Sequence, residues 1–264
     1  MSAVVSAVTF AVVSAVTSAV VSAVSFCHMK ILAGTSGFAF KEWKGVFYPT
    51  ELKDAGFLGY YASRFPAVEI NNTFYRLPKE SVIRDWAAQV PEEFSFTIKA
   101  SQRITHFQRL KPESAEVVDY LIKATSVLGD RLGAILFQLP PNMKKDLERL
   151  HGFLDRLPKS PRFAVEFRHE SWFDDDVVRA LREHDVAMVG IEQEDFNSPL
   201  HATASWGYLR LHRFDYSPQM LREWAQRVRS NGWNEAFVFF KHDHVPDSEG
   251  SGPLAVEAFR RVCG

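Results

Sequence analysis

The chain has 264 residues, 46% of them hydrophobic and 24% charged, with a formal net charge of −1. That size suits one large α/β domain or two small ones, with ample apolar material for a core. The near-neutral balance gives no basis for bulk attraction to nucleic acid, and two cysteines, Cys27 and Cys263, argue against a disulfide framework or a thiolate metal site.

The first segment, Met1 to His28, repeats Ser-Ala-Val and has no Lys, Arg, Asp or Glu before Lys30. It lacks the positive start of a signal peptide, and its recurring Ser and Thr argue against a membrane span. We therefore read residues 1–28 as a low-complexity leader outside the fold and residues 29–264 as one domain, with Met29 as the natural start. A cytoplasmic protein with no membrane partner is the matching expectation. Oligomeric state is not legible.

From Met29 onward, short apolar runs alternate with longer amphipathic ones. The short runs are Ile31–Ala33, Ala67–Ile70, Phe94–Ile98, Ala134–Leu139, Phe163–Phe167, Val186–Ile191, Gly207–Leu211 and Ala236–Phe240. Nearly continuous apolar character predicts parallel strands covered on both faces. Helical spacing predicts helices over Leu52–Phe65, Lys79–Val90, Pro112–Leu128, Lys144–Leu157, Asp174–His184, Ser217–Ser230 and Leu254–Val262. Glu192–Ala204 shows no helical pattern. This alternation predicts a (β/α)8 TIM-like barrel; an open doubly wound sheet is the alternative, without a phosphate-binding glycine loop to support it.

Barrel chemistry sits where strands end. The first run leads into Gly34-Thr35-Ser36-Gly37. The second carries Glu69 and Asn71 two apart, hence on one face. The third ends at Lys99, with Arg103, Thr105 and His106 beyond, and the fourth at Gln138. The fifth carries Glu166 and Arg168, then His169, Ser171 and Trp172. The sixth leads to Glu192 and Glu194, the seventh to Arg210 and His212, and the eighth to Lys241-His242-Asp243-His244. Burying such groups unpaired costs several kcal/mol, so a rim of them must pair with each other, with water or with a ligand.

The blocks Gly34-Thr35-Ser36-Gly37-Phe38, Trp43 to Pro49, Val68 to Pro78, Lys99-Ala100, Ile104-Thr105-His106, Leu136 to Pro141 and Glu166-Phe167-Arg168-His169 with Ser171-Trp172 resemble the YecE-like family, domain of unknown function 72. The resemblance spans Lys30 to Cys263. It implies a TIM-like barrel related to the xylose isomerase and endonuclease IV type, and it supplies no settled activity. The ending Lys241-His242-Asp243-His244 departs from the aromatic-Asn-Asn-Asp type associated with the family.

These residues support an expectation of an enzyme or binder acting on a small anionic or sugar-like ligand. As an enzyme it would be a hydrolase, lyase or isomerase. Glu69 or Glu166 would be the base and His169 or His212 the acid, with Lys99, Arg168 and Arg210 holding the anion. Asn71, His106, Gln138, Trp172 and Asp243 complete the expected ligand contacts. Glu69 with Asn71 reads equally well as an internal polar network. Lys99 reads as an anion holder or an imine-forming amine. Trp43, Phe74, Tyr75 and Trp172 could wall a pocket, although packing is the commoner role. No metal site is assigned. A divalent metal stays open through His212, His242, Asp243 and His244, with Glu69 and Glu166. Two further alternatives are a metal-dependent nucleic-acid or phosphoester-processing barrel, by fold analogy alone, and a non-catalytic ligand-binding module.

Overall fold

The computed structural model describes residues 29–241 and 250–264. The expected leader and the segment with His242, Asp243 and His244 lie outside the described residues.

The strands are β1 (Lys30–Thr35), β2 (Ala67–Ile70), β3 (Ser95–Lys99), β4 (Leu132–Gln138), β5 (Phe163–Glu166), β6 (Ala187–Met188), β7 (Gly190–Glu192), β8 (Trp206–Leu211) and β9 (Glu235–Phe240). The helices are α1 (Phe57–Arg64), α2 (Glu80–Ala87), α3 (Ala115–Thr125), α4 (Leu147–Leu154), α5 (Asp175–Glu183), α6 (Pro218–Arg229) and α7 (Gly252–Cys263). Every strand pairing is parallel. The apolar runs are buried apart from Ile31 and Gln138 at their margins, as strands covered on both faces require.

Helix starts follow local capping chemistry. Helix α4 begins at Leu147, later than the apolar spacing predicts, because the Asp146 carboxylate accepts the Arg149 amide at 3.0 Å. The Asp174 side chain accepts the Asp176 amide at α5, and Ser217 accepts the Met220 amide at α6, where Pro218 takes the first helical position.

The strands form two sheets, ordered β1-β9-β8-β7 and β2-β3-β4-β5-β6. The backbone ladders therefore do not trace the single closed eight-stranded barrel that the alternation predicts. One seam lies within the sixth apolar run, which breaks at Val189 into β6 and β7. Hydroxyls from the helix-free stretch after β7 take over there. Thr203 Oγ1 accepts the Met188 amide at 2.7 Å and donates to the Val186 carbonyl at 2.7 Å, and Ser198 Oγ accepts the Ile191 amide at 2.8 Å.

At the other seam, the Tyr61 hydroxyl stands between β1 and β2. It accepts the Thr35 amide at 2.8 Å and donates to the Ala67 carbonyl at 3.1 Å. The strands come very close here: a Cβ on Gly34 would lie 1.9 Å from the Ala67 carbonyl oxygen, so only glycine fits.

Two apolar clusters result. The smaller consists mainly of strand residues, among them Leu32, Ala134, Leu136, Ala164, Trp206, Tyr208, Phe237 and Phe239. The larger packs the opposite strand faces against the helices, with Trp43, Phe57, Tyr61, Phe137, Phe153 and Trp172. The smaller cluster combines small residues, Ala67, Ala134 and Ala164, with the large aromatics.

Candidate functional site

The C-terminal ends of β1, β2, β3, β4, β5, β8 and β9 open onto a cavity of about 610 Å³. Its polar lining includes Ser36, Asn71, Lys99, Gln138, Arg168, Arg210, His212 and Lys241. Its apolar lining includes Phe38, Phe40, Ile70 and Trp86, with Tyr75 largely exposed at the mouth. A second hollow, of about 520 Å³, lies at the far end of β1. Three of its four arginines are engaged locally: Arg64 pairs with Glu257 at 2.6 Å, Arg260 donates to the Arg64 carbonyl and Arg229 to the Cys263 carbonyl.

At the cavity floor, Arg210 joins the two sheets. Side chains alternate along β8, so Tyr208 and Arg210 share a face. Arg210 Nη1 donates to Glu166 Oε2 at 2.7 Å, and Nη2 and Nε donate to Glu69 Oε1 at 2.9 and 3.2 Å. Both carboxylates are fully buried. Glu69 also accepts from Ser36 Oγ at 2.7 Å, Asn71 Nδ2 at 3.2 Å and Tyr208 Oη at 2.6 Å. Glu166 Oε1 accepts from Arg168 Nε, whose Nη1 donates to Gln193 Oε1 at 2.6 Å. The Asn71 Oδ1 atom is buried without a hydrogen-bond partner among the described residues.

Burial by itself opposes the ionisation of Glu166. The charges of Arg210, Arg168 and Lys99 outweigh it and hold the carboxyl down at about 2. Glu69 is shifted the same way: burial opposes its charge, and Arg210, with hydrogen bonds from Tyr208 and Ser36, overcomes that opposition. Burial, followed by the charge of Glu69, pushes the Tyr208 hydroxyl well above its ordinary range, so it remains a donor.

Lys99 ends β3 half-buried, with Nζ 4.2 Å from the centre of the Phe74 ring. No carboxylate among the described residues lies within ion-pair distance of it. Burial and the nearby Arg210 lower its pKa, Glu166 and Glu69 partly offset them, and Arg168 adds to the lowering; the result is about 8.

His212 Nε2 lies 2.9 Å from Ser36 Oγ. A serine hydroxyl carries one hydrogen, and the Glu69 carboxylate takes it. The hydrogen between Ser36 and His212 therefore belongs to Nε2. With Nε2 as the donor, His212 does not take the Ser36 proton in this arrangement.

Of the expected site residues, Asn71, Lys99, Gln138, Arg168, Arg210 and His212 line the cavity, and Glu69 and Glu166 lie under its floor. Three do not line it. Trp172 is fully buried, stacked on Phe167 with ring centres 4.7 Å apart, and its Nε1 donates to the Met143 carbonyl at 2.7 Å. The chain turns away after Arg168 into a short 3₁₀ helix, Glu170–Trp172, which carries that ring into the core. His169 stands at the start of the same turn, where Nδ1 accepts the Ser171 amide at 3.2 Å. His106 lies on a π-helical turn against Phe74, bonded to Thr105 Oγ1 at 2.9 Å. Burial and then Lys99 and Arg109 lower its pKa. Asp243 lies outside the described residues.

The metal arrangement through Glu69, Glu166 and His212 meets a physical obstacle. Among the described residues, no three His, Cys, Asp or Glu side chains are placed to hold a metal. Arg210 occupies the position between Glu69 and Glu166 that a bridging cation would need. No helix among the described residues is long and apolar enough to cross a membrane.

The chain matches the family model described as "Protein of unknown function DUF72" over residues 32–264. It is 28% identical over 216 residues to the UPF0759 protein YecE of Escherichia coli strain K12, covering 71% of this chain and 78% of that protein. It is 31% identical over 134 residues to the UPF0759 protein YunF of Bacillus subtilis strain 168, covering 48% and 47%. A DUF72 family protein of Thermotoga maritima MSB8 superposes with a TM-score of 0.75 at 28% identity, over 88% of this chain and 97% of that one. A DUF72 family protein of Enterococcus faecalis V583 shares the fold, with a TM-score of 0.73 at 19% identity, over 88% and 95%.

Proposed function

This chain belongs to the DUF72 family, and we propose that its cavity binds a small anionic ligand, whose charge is met by Lys99 and Arg168. One observation carries this reading. Three cations, Lys99, Arg168 and Arg210, stand over two carboxylates, and both carboxylates are already taken by guanidinium groups. Lys99 thus faces the cavity with no counter-ion among the described residues, and Arg168 Nη2 has no partner among them either. A desolvated cation without a counter-ion is costly, and an incoming anion relieves that cost.

In this reading Glu69 and Glu166 act as counter-ions that fix Arg210, and not as the general base expected from the sequence. A base needs a free lone pair and a pKa near the working pH. Glu69 accepts hydrogen bonds on both oxygens, and Glu166 is held at about 2. Gln138 and Asn71 supply amide groups beside the anion, while Phe38, Phe40 and Trp86 offer an apolar wall for the rest of the ligand. We also read the two sheets as halves of one barrel wall. The Tyr61 bridge between β1 and β2 and the reach of Arg210 across to β2 and β5 support this reading.

Thermal-shift titrations with phosphate, sulfate, citrate and glycerol phosphate test the proposal. Ligands that bind only the folded state raise Tm with concentration. The wild-type chain should show this rise with at least one of the anions, and Lys99→Met should weaken it. Equal responses from the two proteins would place the anion elsewhere.

A further inference from the structure

We infer that Lys99 is a nucleophilic amine that condenses with the carbonyl group of an anionic aldehyde or ketone to form an imine. The inference rests on the anion-binding reading above, with Arg168 as the group that seats the ligand's charge.

Geometry supplies the argument. An amine nucleophile must reach a space large enough for its substrate, and Lys99 lines the cavity of about 610 Å³. It must also spend time unprotonated, which a carboxylate partner prevents. Here the two nearest carboxylates are turned to Arg210 and Arg168. Burial chiefly disfavours the ammonium form, the charge of Arg210 and more weakly that of Arg168 add to it, and Glu166 and Glu69 offset only part. A lysine beside other cations in a desolvated pocket is one of the recognised ways of activating an amine. A pKa of about 8 agrees with this setting.

The step balances without a co-reactant. The Nζ lone pair forms a bond to the carbonyl carbon, and the carbonyl π pair moves to oxygen. Proton transfer gives a carbinolamine. Loss of the hydroxyl as water then leaves the carbon–nitrogen double bond, both hydrogens of that water having come from the amine. Nothing is oxidised or reduced.

Glyoxylate, the smallest anionic aldehyde, is the probe, used with cyanoborohydride on the folded full chain at pH 7.5. Peptide mapping follows each lysine, with exposed Lys79, Lys111 and Lys123 as internal references. At this pH an ordinary lysine is overwhelmingly protonated, so a pKa of about 8 should make Lys99 react at least about tenfold faster than the references. Inorganic phosphate should slow Lys99 and leave the references unchanged. Arg168→Met should reduce the glyoxylate preference. If Lys99 reacts no faster than the three references while circular dichroism shows a folded chain, the imine inference is wrong. Phosphate binding measured in the same preparation separates the two failures. Binding without preferential modification sinks the imine alone, whereas modification without binding sinks the anion site.

Discussion

Arg210 Nη1 lies 2.7 Å from Glu166 Oε2, and this bond ties β8 in one sheet to β5 in the other. The same guanidinium holds Glu69 on β2. Arg210→Met keeps an unbranched apolar stem and leaves two buried carboxylates without their main counter-ion. Breaking a buried pair in this way costs about 3–5 kcal/mol. Urea denaturation should show a loss of that size, and adding Glu69→Gln and Glu166→Gln should recover part of it. An unchanged midpoint for Arg210→Met would mean the carboxylates are not relying on it.

Acid should undo the same network. The folded Glu166 carboxyl titrates at about 2, below its ordinary 4.5. A depressed carboxyl contributes stability above its unfolded pKa and loses it as pH falls towards the folded value. The contribution should therefore be complete above about 4.5 and fade between there and about 2. Glu69 acts in the same direction. Urea midpoints measured across that window should fall steeply in the wild type and less steeply in Glu166→Gln.

Lys99 carries the opposite sign. Its folded pKa of about 8 lies below the ordinary 10.5, so the unfolded chain binds the proton more tightly. Stability should rise as pH increases from about 8 to 10.5, relieving a cost present at neutral pH. Lys99→Met removes that cost. At pH 7 it should raise Tm by roughly 2–4 °C for each kcal/mol relieved, a trade of function for stability. A lower Tm in Lys99→Met would mean that the ammonium is stabilising where it sits.

The seam at Tyr61 makes a separate prediction. Tyr61→Phe keeps the ring packed against Phe47 and Phe65 and deletes only the hydroxyl. The Thr35 amide and the Ala67 carbonyl then lose their shared partner. The cost should be about 1–3 kcal/mol, with faster hydrogen exchange at the Thr35 amide. Unaltered exchange there would remove the bridge as a support of the seam.

The strand ends were legible because a buried parallel strand is a continuous apolar run, and the first polar residue after it marks the rim. The two-residue period found Glu69 with Asn71, Glu166 with Arg168, and Arg210 with His212. Carried two residues further back, it also reaches Tyr208, which looks like one more apolar position until its hydroxyl meets Glu69. Ser36 was visible only as part of a glycine-flanked turn. Trp172 and His169 follow a different rule. Position after a strand does not reveal the direction of the next turn, and a short 3₁₀ helix sends one ring into the core and sets the other against a backbone amide. The break into two sheets was equally hidden, since side-chain hydroxyls at Tyr61, Thr203 and Ser198 bond the backbone where the strand pattern alone would predict a continuous ladder.

The central claim is that the cavity at the strand ends is an anion site. Isothermal titration of inorganic phosphate tests it most directly, using the wild type, the double variant Lys99→Met with Arg168→Met, and Arg261→Met in the hollow at the other end of β1. The account predicts one site in the wild type, retained in Arg261→Met and lost in the double variant. Binding that survives in the double variant and disappears in Arg261→Met would contradict it.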